Sequence, residues 1–253
     1  MLAKYKGGKL PPKWHPKTLC MKKYTQKGGV LLPAPEKIYL EYKIPPNAIG
    51  MMKNDQLSCC LAAYAGHALM LITGHVGAPL IPTDGEIVDF YSAFSGYVPG
   101  DPSTDNGGYF TDMYNEWQTN GLCGFKIDAW AQIDTKDLAT RMVAIRLFLG
   151  VGVGVQLPAS AETQFDADET WSMQPGDVPT DGHAILEAGE GSAGHNFETW
   201  GYGAQKADNN WDLQCTDEVY VPLTKAVISA ANDVAPDSLD YDTLLADFEA
   251  IKA

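Results

Sequence analysis

At 253 residues with 45% hydrophobic content, the chain can form one large domain or two closely packed lobes around a full core. Eighteen basic residues against 32 acidic ones leave a net charge of −14, which argues against nucleic acid as the main partner. No apolar run approaches the roughly 18 residues of a membrane span. The N-terminus also lacks the apolar core of a Sec-type signal, so neither a membrane partner nor Sec export is expected.

Residues 1–46 read as an extended basic arm, rich in Lys, Pro and Gly, with turns at Pro11-Pro12, Pro33-Ala34-Pro35 and Pro45-Pro46. Residues 1–35 hold eight of the 18 basic residues and none of the 32 acidic ones, which leaves the rest of the chain at −22. Such a segment buries too little apolar surface to order itself. An ordered arm would lie on its own acidic body or on a partner, including a second copy of the chain.

Residues 47–253 read as the folded domain, with a helical part over about 47–149, a β-rich part over about 150–223 and a helical tail over 224–253. The first helix is predicted over Cys60–Ile72. A second starts at Thr83, where Thr83-Asp84-Gly85-Glu86 matches a capping box, and ends near Gly96. A third spans about Gly108–Thr119 and stops at Asn120-Gly121. Phe125–Trp130 alternates like a strand, and Asp134 is placed to cap a helix running to Phe148. Val151–Leu157 reads as a buried strand and residues 158–182 as a long polar loop. His183–Glu190 and Phe197–Gly201 read as a hairpin, and Val219–Val221 as a short strand. Ser238–Ala253 has an amphipathic pattern through Leu239, Leu244, Leu245, Phe248 and Ile251. The fold class is therefore α+β.

Asn54-Asp55-Gln56-Leu57-Ser58-Cys59-Cys60 reads as a loop delivering a cysteine to a helix start, where the helix dipole and free N–H groups favour the thiolate. Asp181-Gly182-His183 offers a histidine at the head of a strand. Cys and His brought together by folding are the minimum for thiol catalysis. His195 reads as the exposed tip of a Gly-rich hairpin, and His67 and His75 as helix-face and loop residues.

The cysteine-helix, the Gly182-His183-Ala184-Ile185-Leu186 strand and Thr199-Trp200-Gly201 together resemble the papain-like cysteine peptidase superfamily over about residues 47–223. More narrowly, the chain resembles papain-like proteins of phages and bacteria that carry an Asn-Asp-x-Leu-Gly-Asp-Cys motif. The resemblance implies a helical lobe carrying the cysteine and a β-rich lobe carrying the histidine. Asn54 lies six residues before Cys60, where these enzymes place a glutamine that helps form the oxyanion hole. That spacing favours Cys60 over its neighbour Cys59 as nucleophile. His183 matches the general base. The position of the family's asparagine falls on Glu198, with Asn196 two residues earlier on the same strand face; Glu198 is slightly preferred and Asn196 is the alternative. Ser58-Cys59 replaces the usual Gly-Ser, and Leu61 replaces a large aromatic.

No cofactor or metal is expected. The five cysteines form neither a disulfide framework nor a zinc-type CxxC pair, so a reducing compartment is expected. Asp101–Gly108 lacks the ligand spacing of a calcium loop and reads as a loop before a helix. Gly150, Gly152 and Gly154 are not spaced as a dinucleotide fingerprint. Trp117, Trp130, Trp171 and Trp211 read as core and cleft walls. Two functions follow. One is a thiol enzyme acting on amide or peptide bonds of a peptide or protein substrate. The other is a papain-fold structural protein, such as a phage or virion component, whose arm clasps neighbouring subunits. The corresponding location is cytoplasmic or virion.

Overall fold

The computed structural model describes residues 5–13, 18–25, 44–45, 48–191 and 194–230, together with Thr243, Ala246, Asp247 and Ala250. The Pro33-Ala34-Pro35 turn and the apolar positions Leu239, Leu244, Leu245, Phe248 and Ile251 of the expected C-terminal helix lie outside the described residues.

The architecture is α+β. Among the described residues, seven strands form one sheet: β1 (Leu19–Cys20), β2 (Ala129–Ile133), β3 (Val151–Leu157), β4 (Asp181–Gly191), β5 (Gly194–Thr199), β6 (Tyr202–Ala207) and β7 (Thr216–Leu223). Their order is β1-β2-β7-β3-β4-β5-β6. Only β1 and β2 pair in parallel, and every other neighbouring pair is antiparallel.

Helices Cys60–Val76, Asp84–Ser95 and Phe110–Thr119 build one apolar core, and the opposite face of the sheet builds another. Alternation along β4 divides its side chains between the two. Ala184, Leu186 and Ala188 join the helical core, while Ile185 joins the other. On β3, Val151, Val153 and Val155 face the second core. The alternate position Gly152 lies against Tyr64 of the first helix, where a Cβ would come within 2.8 Å of the ring hydroxyl. The Val-Gly-Val-Gly-Val run is thus a strand with one bulky face and one cleared face, where Gly152 makes room for Tyr64 and Gly154 for Lys9. Trp117, Trp130, Trp171 and Trp211 are all buried, as core positions should be.

The Thr83 capping box forms with Glu86, and Gly96 closes the same helix in a left-handed conformation. Three local expectations shift. The strand expected at Phe125–Trp130 starts instead at Ala129, where it can pair with β7. The next helix begins at Leu138 under an Asp137 cap rather than at Asp134. The expected loop 158–182 contains the helix Ser160–Asp166.

The described part of the basic arm lies on the body of the same chain. Lys9 pairs with Asp217 and Glu218, Lys13 with Asp112, Lys22 with Asp137 and Lys23 with Asp247.

Candidate active site

The loop before the first helix is held by hydrogen bonds rather than by apolar packing alone. Met52 and Lys53 adopt positive φ, 50° and 66°, and the turn is closed by Asn54 N–H donating to Met51 O at 2.9 Å. Asp105 then anchors the approach to the helix. Its carboxylate accepts from Ser58 N–H at 3.0 Å and from the Tyr91 hydroxyl at 2.8 Å. The Tyr91 oxygen in turn accepts from Gly107 N–H at 2.9 Å. One carboxylate therefore positions both the loop before Cys60 and the Gly107-Gly108 segment.

Cys59 and Cys60 diverge here. The Cys59 thiol donates back to Met52 O at 3.5 Å and is a structural group. Cys60 opens the helix and shares its apolar core with Ala184, the residue next to His183. The helix that carries Cys60 packs against β4, the strand that carries His183. Both Cys60 and His183 are buried, at 1% exposure each.

His183 Nε2 lies 2.7 Å from Thr199 Oγ1. Nδ1 is buried and makes no hydrogen bond. The Trp200 ring stacks on the imidazole at a centroid distance of 4.9 Å. Trp200 itself has a φ of 49°, a conformation that turns its ring out of the strand and over His183. This combination fixes the imidazole plane and leaves Nδ1 as the nitrogen able to take a proton.

The third member expected from sequence is not where it was placed. Glu198 faces the other side of β5, with Leu186 opposite it, and its carboxylate pairs with His67 Nδ1 at 2.7 Å. His67 Nε2 donates to Gly50 O at 3.0 Å. Strand alternation puts Asn196 on the same side as Glu198, away from Thr199. Neither residue reaches the His183 ring; Thr199 does. The signal that could have found Thr199 was parity: one step along a strand changes the face.

Asn54 is buried, and its amide Nδ2 donates to Leu57 O at 3.2 Å. That bond uses one of its two N–H groups. His195, expected at an exposed hairpin tip, is 2% exposed, with Nδ1 2.5 Å from Glu187 Oε1. It belongs to a buried charge cluster in which Arg141 binds Glu187 and forms a two-pronged bond with Asp212 at 2.9 and 3.0 Å.

The cleft between Gly107-Gly108 and Gly182 is occupied by the chain's own arm. Gly108 N–H donates to Gly8 O at 2.9 Å, Leu10 N–H donates to Gly108 O at 2.8 Å, and Gly8 and Lys9 N–H both donate to Gly182 O, at 3.0 and 3.1 Å. The pairing with Gly108 is parallel. The approach is close enough that a Cβ on Gly8 would lie 2.1 Å from Ser58 O, and one on Gly182 would lie 2.0 Å from Lys9 O. Tyr5 extends the cover by stacking on Trp200 at 4.4 Å. Under this cover, burial pushes the Cys60 thiol up to about 12, against the helix N–H groups and the nearby Lys9 ammonium that favour the thiolate. Burial holds the His183 imidazole down at about 3. Desolvation therefore outweighs the helix-start effect read from sequence, and the covered pair is neutral at pH 7.

No family model and no curated sequence matches this chain. Solved structures do. Xylellain, a cysteine protease from Xylella fastidiosa, superposes with a TM-score of 0.67 at 14% identity, covering 87% of this chain and 97% of that one. The Carica candamarcensis cysteine protease CMS1MS2, solved in complex with E-64, gives 0.52 at 11% identity over 76% and 99%. The chain therefore has the papain-like cysteine peptidase fold, with a helical lobe carrying Cys60 and a β-rich lobe carrying His183.

Proposed function

We propose that this chain is a papain-like thiol peptidase held in a covered form by its own residues 7–10. The observation that carries the reading is the state of His183: Nε2 is engaged by Thr199, Nδ1 is buried and unpartnered, and the helix opened by Cys60 packs against the strand that carries it. In the uncovered cleft, Nδ1 takes the thiol proton and the Cys60 sulfur attacks the peptide carbonyl. The oxyanion is met by the Cys60 backbone N–H and the second N–H of Asn54. The imidazolium returns its proton to the leaving amine, and water resolves the thioester. Thr199 and Trp200 act by holding the imidazole; Glu198 has no part in the reaction and braces the first helix through His67.

The test uses the full chain carrying Gly8→Val, whose side chain cannot fit against Ser58. It should hydrolyse peptide amides, and Cys60→Ala or His183→Ala in that background should abolish turnover. Absence of any Cys60-dependent turnover in the uncovered chain sinks the reading.

The filled cleft and the neutral dyad favour a second reading, a papain-fold structural protein without turnover. In that case the arm lysines would exchange their own acidic partners for those of a neighbouring subunit. Light scattering across salt concentrations tests it: assembly that needs residues 5–13 and weakens with salt supports it, and a salt-independent monomer rejects it.

A further inference from the structure

The arm enters the cleft mostly through main-chain bonds that any extended peptide could make, to Gly108 and Gly182. Lys9 is different. Its side chain is fully buried, with Nζ 3.0 Å from Asp217 Oδ2, 3.0 Å from Glu218 Oε1 and 3.0 Å from Leu10 O. The carboxylates that meet it come from adjacent residues of β7, which a regular strand would send to opposite faces. A β-bulge removes that constraint. Gly154 of β3 pairs with Glu218 and Val155 pairs with Thr216, leaving Asp217 as the extra residue. Both carboxylates then reach the same ammonium.

The space for the side chain is also built into the body. A Cβ at position 154 would lie 2.6 Å from Lys9 Cε and 2.6 Å from Glu218 Cγ, so only glycine leaves the pocket open. Gln156 Nε2 donates to Asp217 Oδ2 at 2.8 Å and fixes that carboxylate from the side. Glu218 is 2% exposed, and burial raises its carboxyl, partly offset by Lys9. An acidic group this deep in the cleft wall is costly unless a cation fills the pocket.

We propose that Gly154, Asp217 and Glu218 form a lysine-accepting subsite for a peptide bound in the cleft, and that Lys9 is its built-in occupant. The subsite deepens the peptidase reading by naming the substrate class: peptides with a lysine preceded by a residue small enough to pass Ser58. The arm holds the site at high local concentration, so an outside peptide binds only after the arm is displaced.

The test uses the full chain with Lys9→Glu, which reverses the charge against both carboxylates, and Gly8→Val as an independent way to displace the arm. Calorimetry measures binding of the hexapeptide Gly-Gly-Lys-Leu-Pro-Pro and of its analogue with norleucine in place of lysine. The lysine peptide should bind roughly 30-fold or more tightly than the analogue, the usual cost of losing one partner of a buried charge pair. Adding Glu218→Gln should shrink that ratio several-fold. Equal binding of the two peptides, binding of neither, or a ratio untouched by Glu218→Gln overturns the subsite. Discrimination without any cleavage upholds the subsite while removing the peptidase reading. Cleavage with no preference for lysine does the reverse.

Discussion

His183 Nε2 sits 2.7 Å from the hydroxyl of Thr199, so a threonine takes the place expected for Glu198, the residue at the position of the papain-like asparagine. A hydroxyl can donate as well as accept, whereas a carboxamide oxygen can only accept. The tautomer with a free Nδ1 lone pair is therefore favoured less strictly. In the uncovered chain, Thr199→Val should lower kcat on the order of 10- to 100-fold, part of the 10²–10⁴ that general base catalysis supplies, with KM nearly unchanged. Thr199→Asn should recover much of it. A Thr199→Val enzyme with unaltered kcat would mean that Trp200 stacking alone orients the ring.

The covered form predicts a silent thiol. Burial pushes Cys60 up to about 12, whereas Cys20 is exposed. At pH 7.5, iodoacetamide should modify Cys20 well before Cys60 in the native chain, read by peptide mass mapping. Lys9→Glu or Gly8→Val should accelerate Cys60 labelling at least tenfold, because uncovering restores water and the helix-start N–H groups. Equal labelling of Cys60 and Cys20 in the native chain would show that residues 7–10 do not cover the thiol.

Glu198 and His67 form a buried pair 2.7 Å apart on the helix-facing side of β5. Glu198→Ala strips His67 of its partner and should cost about 3 kcal/mol, measured by urea unfolding. The rate constant per folded molecule should stay within about twofold, since the pair does not touch His183. A large fall in kcat with normal stability would return Glu198 to the catalytic set.

The Arg141–Glu187–His195–Asp212 cluster makes stability depend on pH in two directions. Burial acts to lower the His195 imidazole, but its bond to Glu187 outweighs this and the net shift is upward. A base with a raised folded value adds stability that is full below about 6.5, its ordinary value, and lost as pH rises through the folded one. Burial acts to raise Asp212, but Arg141 outweighs it and the net shift is downward. That contribution is present above about 3.8 and lost as pH falls through the folded value. The cluster's contribution should therefore peak between about pH 4 and 6.5. His195→Gln should flatten the alkaline slope of chemical denaturation curves, and an unchanged slope would count against the assignment.

Local signals were legible where the chain itself supplies the physics. The capping box at Thr83, the cysteine opening a helix at Cys60, the strand at Val151–Leu157 and the histidine at the head of β4 all depend on residues within a few positions of one another. The choice of Cys60 over Cys59 rests on spacing alone; in the structure the Cys59 thiol bonds back to Met52 O.

What only the tertiary structure decided turns on one-residue parity and on long-range burial. Antiparallel pairing sets Glu198 opposite Leu186, on the helix-facing side of the sheet, so Thr199 and not Glu198 meets His183. His195 is buried because Arg141, from a helix 54 positions earlier, brings compensating charge. The fate of the arm was the least legible of all. Its lysines announce an acidic partner, and composition names the sign of that partner but not its place. The place is set where the β7 bulge turns Asp217 and Glu218 toward one ammonium and Gly154 leaves room for it, a geometry that exists only once β3 and β7 have paired.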